Sequence, residues 1–111
     1  KGILELIETL MHQYFESDQA QVSGIPSVSY FANELHLSAN YFGDLIKKET
    51  GLTAKDYIQN KTIDVAKNRV FDTDKTINEI AFEMGFKYPQ HFTRLFKQRV
   101  GQTPNEYRSL N

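Results

Sequence analysis

No cysteine occurs among the 111 residues. That excludes disulfide cross-links and thiolate chemistry, and it suits a reducing compartment, so the expected location is the cytoplasm. No apolar run approaches the roughly 18 residues of a membrane span, and no signal-peptide pattern opens the chain, so no membrane partner is expected. An excess of one charge is also missing: 13 Lys and Arg face 14 Asp and Glu, for a net charge of −1. Three isolated His without Cys show no ligand-like spacing, which argues against a structural zinc site. No Ser/His/Asp constellation and no phosphate-cradling Gly-rich loop stands out. The chain therefore reads as a non-enzyme that works without a cofactor.

What is present is enough for a core. Hydrophobic residues make up 40% of the chain and aromatic residues 13%, which fits one domain or two small subdomains sharing a linker. A start at Lys1 rather than Met fits a piece of a longer protein. The neutral total hides an uneven distribution. Residues 1–25 hold Lys1 against Glu5, Glu8, Glu16 and Asp18, a net −3, whereas residues 87–111 hold Lys87, Arg94, Lys97, Arg99 and Arg108 against Glu106, a net +4. Such asymmetry can mark a face for polyanions. The acidic Glu5, Glu8 and Glu16 read as a solvated face.

The chain also nearly repeats itself at an offset of fifty residues. Phe42, Leu45, Lys47, Gly51, Thr53 and Tyr57 recur as Phe92, Leu95, Lys97, Gly101, Thr103 and Tyr107. Upstream the offset is forty-nine, pairing Val28, Ala32, Glu34, Leu35 and Leu37 with Ile77, Ala81, Glu83, Met84 and Phe86. One inserted residue within 87–91 accounts for the change. A repeat of this length is one supersecondary unit used twice.

Periodicity and caps predict seven helices and no strand, an all-α fold. Apolar residues at 3, 4, 6, 7, 10, 11, 14 and 15 form the stripe of an amphipathic helix. Residues 17–26, polar and containing Gly24 and Pro26, read as a loop. A short helix over 28–35 has Ser29 as its expected N-cap. Ser38 caps a helix that stops at Gly51. Thr53 to Asp56 resembles a capping box with Asp in the Glu position and opens a long helix to about Phe71. After a break at 72–75, Asn78 is expected to cap a helix ending near Met84, with Gly85 as the turn. Pro89 suits the first turn of the next helix, which ends at Gly101. Thr103-Pro-Asn-Glu106 starts a last short helix. The expected organisation is an N-terminal helix and loop over 1–25, a first unit over 26–52, a linker helix over 53–75, and a second unit over 76–111.

Each unit runs short helix, tight turn, longer helix. That order is the helix-turn-helix arrangement, whose second helix can lie in a DNA major groove. In the second unit Phe92, Leu95, Phe96 and Val100 share an inward face, leaving Lys87, Gln90, His91, Arg94, Lys97 and Gln98 outside. Arg, Gln and Lys are the types that reach guanine, adenine and phosphate. In the first unit Phe42, Leu45 and Ile46 point inward, and Asn40, Gly43, Asp44, Lys47 and Lys48 remain outside. Most Phe and Tyr residues are expected in the core, with Tyr41 and Tyr88 as exceptions beside helix starts. His12 and His36 read as structural or exposed.

The pattern Thr76-Ile-Asn-Glu-Ile-Ala81, Gly85-Phe86, Phe92, Phe96-Lys97, Gly101, Thr103-Pro104 and Tyr107-Arg108 resembles the C-terminal signature of AraC/XylS-type bacterial transcription regulators. The likeness extends back through Leu37-Ser38, Tyr41-Phe42 and Lys47-Lys48-Glu49-Thr50-Gly51, covering about 26–110. It implies two homeodomain-like helix-turn-helix subdomains joined by a long helix. It also implies recognition helices in successive major-groove segments of double-stranded DNA. Base-facing positions would be Asn40, Gly43 and Asp44 in the first unit, and Gln90, His91, Thr93 and Arg94 in the second. Lys47, Lys48, Lys87, Lys97 and Arg99 would meet phosphates. Relatives often carry Arg, Gln or Lys at the positions of Gly43 and Asp44, and Arg at that of Thr62, where a phosphate contact or ion pair is lost. The family often joins this module to an upstream sensing or dimerisation domain. The competing reading is a helical interaction module that contacts RNA polymerase or a regulatory partner, a role the acidic helix over 3–15 could also serve in addition to DNA binding.

Overall fold

The computed structural model describes residues 2–110; Lys1, counted in the acidic N-terminal balance, and Asn111 lie outside them. Among the described residues there are eight helices and no strand: α1 (Ile3–Glu16), α2 (Gln19–Ser23), α3 (Val28–Glu34), α4 (Ala39–Thr50), α5 (Ala54–Arg69), α6 (Ile77–Glu83), α7 (Pro89–Val100) and α8 (Pro104–Leu110). The all-α expectation holds. The eighth helix is α2, a single turn in the segment expected to be a loop. Its own sequence has no apolar stripe. What holds it is tertiary: Ala20 is buried, and its carbonyl packs against the backbone of Gly85.

The repeat is visible in the elements themselves. Helices α3 and α6 start forty-nine residues apart, α4 and α7 fifty, and α5 and α8 fifty. Both short helices end in the same backbone motif. Leu37 N–H donates to the Ala32 carbonyl at 2.9 Å, and Phe86 N–H to the Ala81 carbonyl at 3.0 Å. The left-handed residue of that turn is His36 in the first unit (φ 60°) and Gly85 in the second (φ 97°). The extra residue of the second unit is therefore Lys87, between the Phe86 that matches Leu37 and the Tyr88 that matches Ser38 as N-cap.

Three expected boundaries move. Ser27, not Ser29, caps α3, accepting from Tyr30 N–H at 3.1 Å. Thr76, not Asn78, caps α6 with a complete capping box: its hydroxyl accepts from Glu79 N–H at 3.0 Å, and the Glu79 carboxylate accepts from Thr76 N–H at 2.9 Å. In both cases the capping hydroxyl lies two residues earlier than expected, where it meets an N–H that has no helical partner. Helix α5 stops at Arg69 rather than Phe71. Arg108 ends it by donating to the carbonyls of Val70 at 2.6 Å and Asp72 at 3.2 Å.

One core runs through the molecule. Phe42 and Ile46 from α4, Phe92 and Phe96 from α7, and Ile7 from α1 are fully buried in it. Leu45, expected inward, is only half-buried, although its counterpart Leu95 is buried. Helix α5 packs against α3 and α4 and also against α7. Helix α1 joins the core through Ile7, Met11, Tyr14 and Phe15, and Arg69 donates to its Phe15 carbonyl at 2.5 Å. Glu8, expected on a solvated face, pairs with Lys61 of α5. None of the helices is long and apolar enough to cross a membrane.

Candidate nucleic-acid interface

Each second helix buries one side and turns the other outward, because its apolar residues recur at helical spacing. On α7 the exposed stripe is Gln90, His91, Arg94, Lys97 and Gln98, with Thr93 half-buried beside it. Lys87 is exposed in the preceding turn, its ammonium 5.6 Å from the centre of the Tyr88 ring. On α4 the exposed stripe is Asn40, Tyr41, Asp44, Lys47 and Lys48, with Gly43 half-buried. Tyr41 and Tyr88 are each 55% exposed, as their places beside helix starts implied.

Arg99 departs from this pattern. Its guanidinium turns to α5, donating to Asn60 Oδ1 at 3.1 Å, to Asp56 Oδ1 at 3.2 Å, and to Gln59 Oε1. The expected phosphate contact is not what its geometry serves, since the planar fork finds three acceptors on the neighbouring helix. Asp56 consequently does not complete the box expected at Thr53. The threonine hydroxyl accepts from Asp56 N–H at 3.1 Å, but the Asp56 carboxylate is spent on Arg99. Arg108 is likewise turned inward, on the end of α5. Of the basic C-terminal excess, Lys87, Arg94 and Lys97 face outward.

Thr62 is buried at 3% exposure and donates its hydroxyl to the Ile58 carbonyl at 2.9 Å. It is satisfied within its own helix and offers nothing to a phosphate.

Two residues to which the sequence reading gave no place on this face lie beside the α7 stripe. Asn78 lines an open groove of about 510 Å³ with Gln90, Thr93, Arg94 and Lys97. The signal was readable: once Thr76-x-x-Glu79 is taken as the capping box, Asn78 is released from capping. Lys55, at the start of α5, lines a polar cleft of about 370 Å³ with His91, Arg94 and Gln98. No group of three or more His, Cys, Asp or Glu among the described residues could hold a metal ion.

The supports of the second unit carry perturbed acids. Hydrogen bonds from the Thr76 backbone and hydroxyl hold the Glu79 carboxyl below its ordinary value, and Thr103 does the same for Glu106. Thr103 N–H donates to Glu106 at 2.8 Å.

Two units of short helix, tight turn and outward-facing second helix define a tandem helix-turn-helix domain. A family model described as a helix-turn-helix domain matches residues 31–109. The chain is 32% identical over 108 residues to the uncharacterized HTH-type transcriptional regulator YtdP of Bacillus subtilis, covering 97% of this chain and 13% of that protein. It is 33% identical over 85 residues to the melibiose operon regulatory protein of Escherichia coli K12, covering 77% of this chain and 28% of that one. Among solved structures, the C-terminal domain of the two-component response regulator yesN from Fusobacterium nucleatum matches with a TM-score of 0.74 and 29% identity, over 94% of this chain and 95% of that one. The chain belongs to the AraC-type family of helix-turn-helix transcription regulators. It spans less than a third of the length of each of the two curated relatives named.

Proposed function

We propose that this domain binds duplex DNA sequence-specifically, laying α4 and α7 into successive major-groove segments about one helical turn apart. The observation that carries this reading is the α7 stripe. Gln90, His91, Arg94 and Lys97 are exposed side by side above a buried Phe92–Phe96 face, with Lys87 added at its start. Arg94 and Gln90 supply the donors that distinguish base edges, Thr93 and His91 flank them, and Lys87 and Lys97 supply charge for phosphates. The first unit differs in kind. Asp44 stands where Arg94 stands and Gly43 where Thr93 stands, so α4 mainly positions the duplex through Lys47 and Lys48, with Asn40 at its base-facing start. Arg99 is assigned no phosphate in this reading. The same reading places the domain in a longer cytoplasmic regulator with an upstream sensing or dimerisation domain and RNA polymerase as a partner.

A salt-titrated gel shift on sites selected from random duplexes tests this. Affinity should fall steeply as salt rises, because each neutralised phosphate releases counterions. Arg94→Ala should relax base preference at one position, at a cost of about 1–3 kcal/mol on the preferred site. Lys97→Ala should weaken all sequences alike and lower the salt slope by about one. Salt-independent binding, or no selected sequence, would sink the DNA reading. A uniform loss in Arg94→Ala together with an altered base preference in Asp44→Ala would sink the division of labour.

A further inference from the structure

Arg99 joins the two units, and it does so once. Its three acceptors, Asp56, Gln59 and Asn60, share one face of α5 at i, i+3 and i+4. Its side chain is 22% exposed, and its Nε is buried with no hydrogen-bond partner among the described residues. The group thus lies between α5 and α7, in the wall of the polar cleft that Lys55, His91, Arg94 and Gln98 also line. Helix α5 packs in turn on α3 and α4. The path from one recognition helix to the other runs α4, α5, Arg99, α7.

The repeat shows that this bridge is an addition rather than part of the unit. The residue equivalent to Arg99 in the first unit is Glu49, exposed on α4. The residue equivalent to Asp56 in the second is Glu106, which closes its own capping box. Asp56 gives up that local role to hold Arg99. An exposed ion pair contributes little to stability, but a planar guanidinium shared among three acceptors on a rigid helix restricts direction strongly.

We propose that Arg99 is a positioning residue that sets the separation and angle of α7 relative to α4, so that the domain accepts its two DNA segments at one spacing. The second half of this statement rests on the DNA-binding reading above; the first half does not. The absence of native cysteine allows the first half to be tested cleanly by site-directed labels. Nitroxide labels on Lys47→Cys and Lys97→Cys, equivalent exposed positions on α4 and α7, report the inter-helix distance by pulsed electron resonance without DNA. A narrow distribution is expected, broadened or shifted in Arg99→Gln and less so in Arg99→Lys, with circular dichroism confirming that both variants fold. An unchanged distribution in both variants overturns the proposal.

The DNA arm uses unlabelled protein and duplexes whose two selected segments are separated by one base pair more or fewer. The native chain should prefer one spacing by about tenfold or more, since a mismatched spacing must be absorbed by deforming the duplex. Arg99→Gln should lose most of that preference while keeping the base preference within each segment. A preserved spacing preference with a salt slope lowered by one would instead assign Arg99 to a phosphate and overturn the positioning role. Failure of the native chain to select any DNA would overturn the functional reading, while the label distances would still decide what Arg99 does.

Discussion

Gly43 lies within α4, where a helix former would serve folding better. A Cβ at this position would meet nothing within 4 Å, and its backbone is not in the left-handed region. The protein's interior therefore gives no reason for a residue that costs about 1 kcal/mol relative to Ala in a helix. On the proposed DNA-binding reading, a missing side chain on the stripe between Asn40 and Asp44 would allow close approach of a duplex. Gly43→Ala should raise unfolding stability by about 1 kcal/mol in thermal melts. It should weaken binding to the selected DNA site in the same preparation. If stability and affinity rose together, Gly43 would have no part in DNA approach. Asp44 beside it has the opposite logic: an acid near phosphates is repelled, yet it can accept from a cytosine amino group.

At the scale of elements, the two turns separate what a turn needs from what its neighbours need. His36 and Gly85 occupy the same left-handed position, but only Gly85 is crowded. A Cβ there would lie 2.6 Å from both the Ala20 carbonyl oxygen and the Gly24 carbonyl carbon. Gly85→Ala should therefore destabilise the chain by on the order of 2–5 kcal/mol, combining left-handed strain with overpacking. His36→Gly, which relieves strain in an uncrowded turn, should change stability by no more than about 1 kcal/mol, upward. Denaturant titration of both variants checks this, and equal losses would contradict the crowding. The caps add a pH dependence. Glu79 and Glu106 have carboxyls held below their ordinary value of 4.5 by the helix N-termini they close. A depressed folded-state value contributes stability above the unfolded value and loses it as pH falls through the folded one. Melting temperature should thus decline below about pH 4.5, less steeply in a Glu79→Gln/Glu106→Gln chain, whose amides still accept but do not titrate. These same elements show what was legible in the sequence. Helix phase was, because buried Phe92 and Phe96 recur at helical spacing, and so was the Thr103 box. Ser29 and Asn78 were misread as caps because neighbouring polar residues compete for the role, and only backbone geometry selects Ser27 and Thr76. The inward turn of Arg99 was illegible, since its acceptors lie some forty residues away.

For the whole molecule, the less legible part is the one that makes it a single body. Residues 1–25 read as an amphipathic helix and loop outside the repeat, yet they are built into the body of the domain, α1 against Tyr30 of α3 and Lys61 and Arg69 of α5, and α2 against α6. Ile7, Met11, Tyr14 and Phe15 enter the common core, Tyr14 donates its hydroxyl to the Gly24 carbonyl at 2.5 Å, and α2 packs on the turn ahead of α7. Burying each large apolar side chain contributes about 1.5–3 kcal/mol before entropy is counted, and a domain's entire stability is about 5–15 kcal/mol. Four such side chains are therefore a decisive share. A chain beginning at Pro26 retains both helix-turn-helix units and every proposed DNA contact, but leaves the shared core without Ile7, Met11, Tyr14 and Phe15. Its unfolding free energy should fall by more than about 3 kcal/mol. Its DNA affinity should fall with it, and more at the second segment than at the first, because Gly85 loses the backbone packed against it. Denaturant titration and binding to duplexes carrying either segment alone measure the two effects. A truncated chain that melts and binds like the full one would show that the N-terminal helices merely rest on the domain; the predicted outcome makes them part of the scaffold that aims α7.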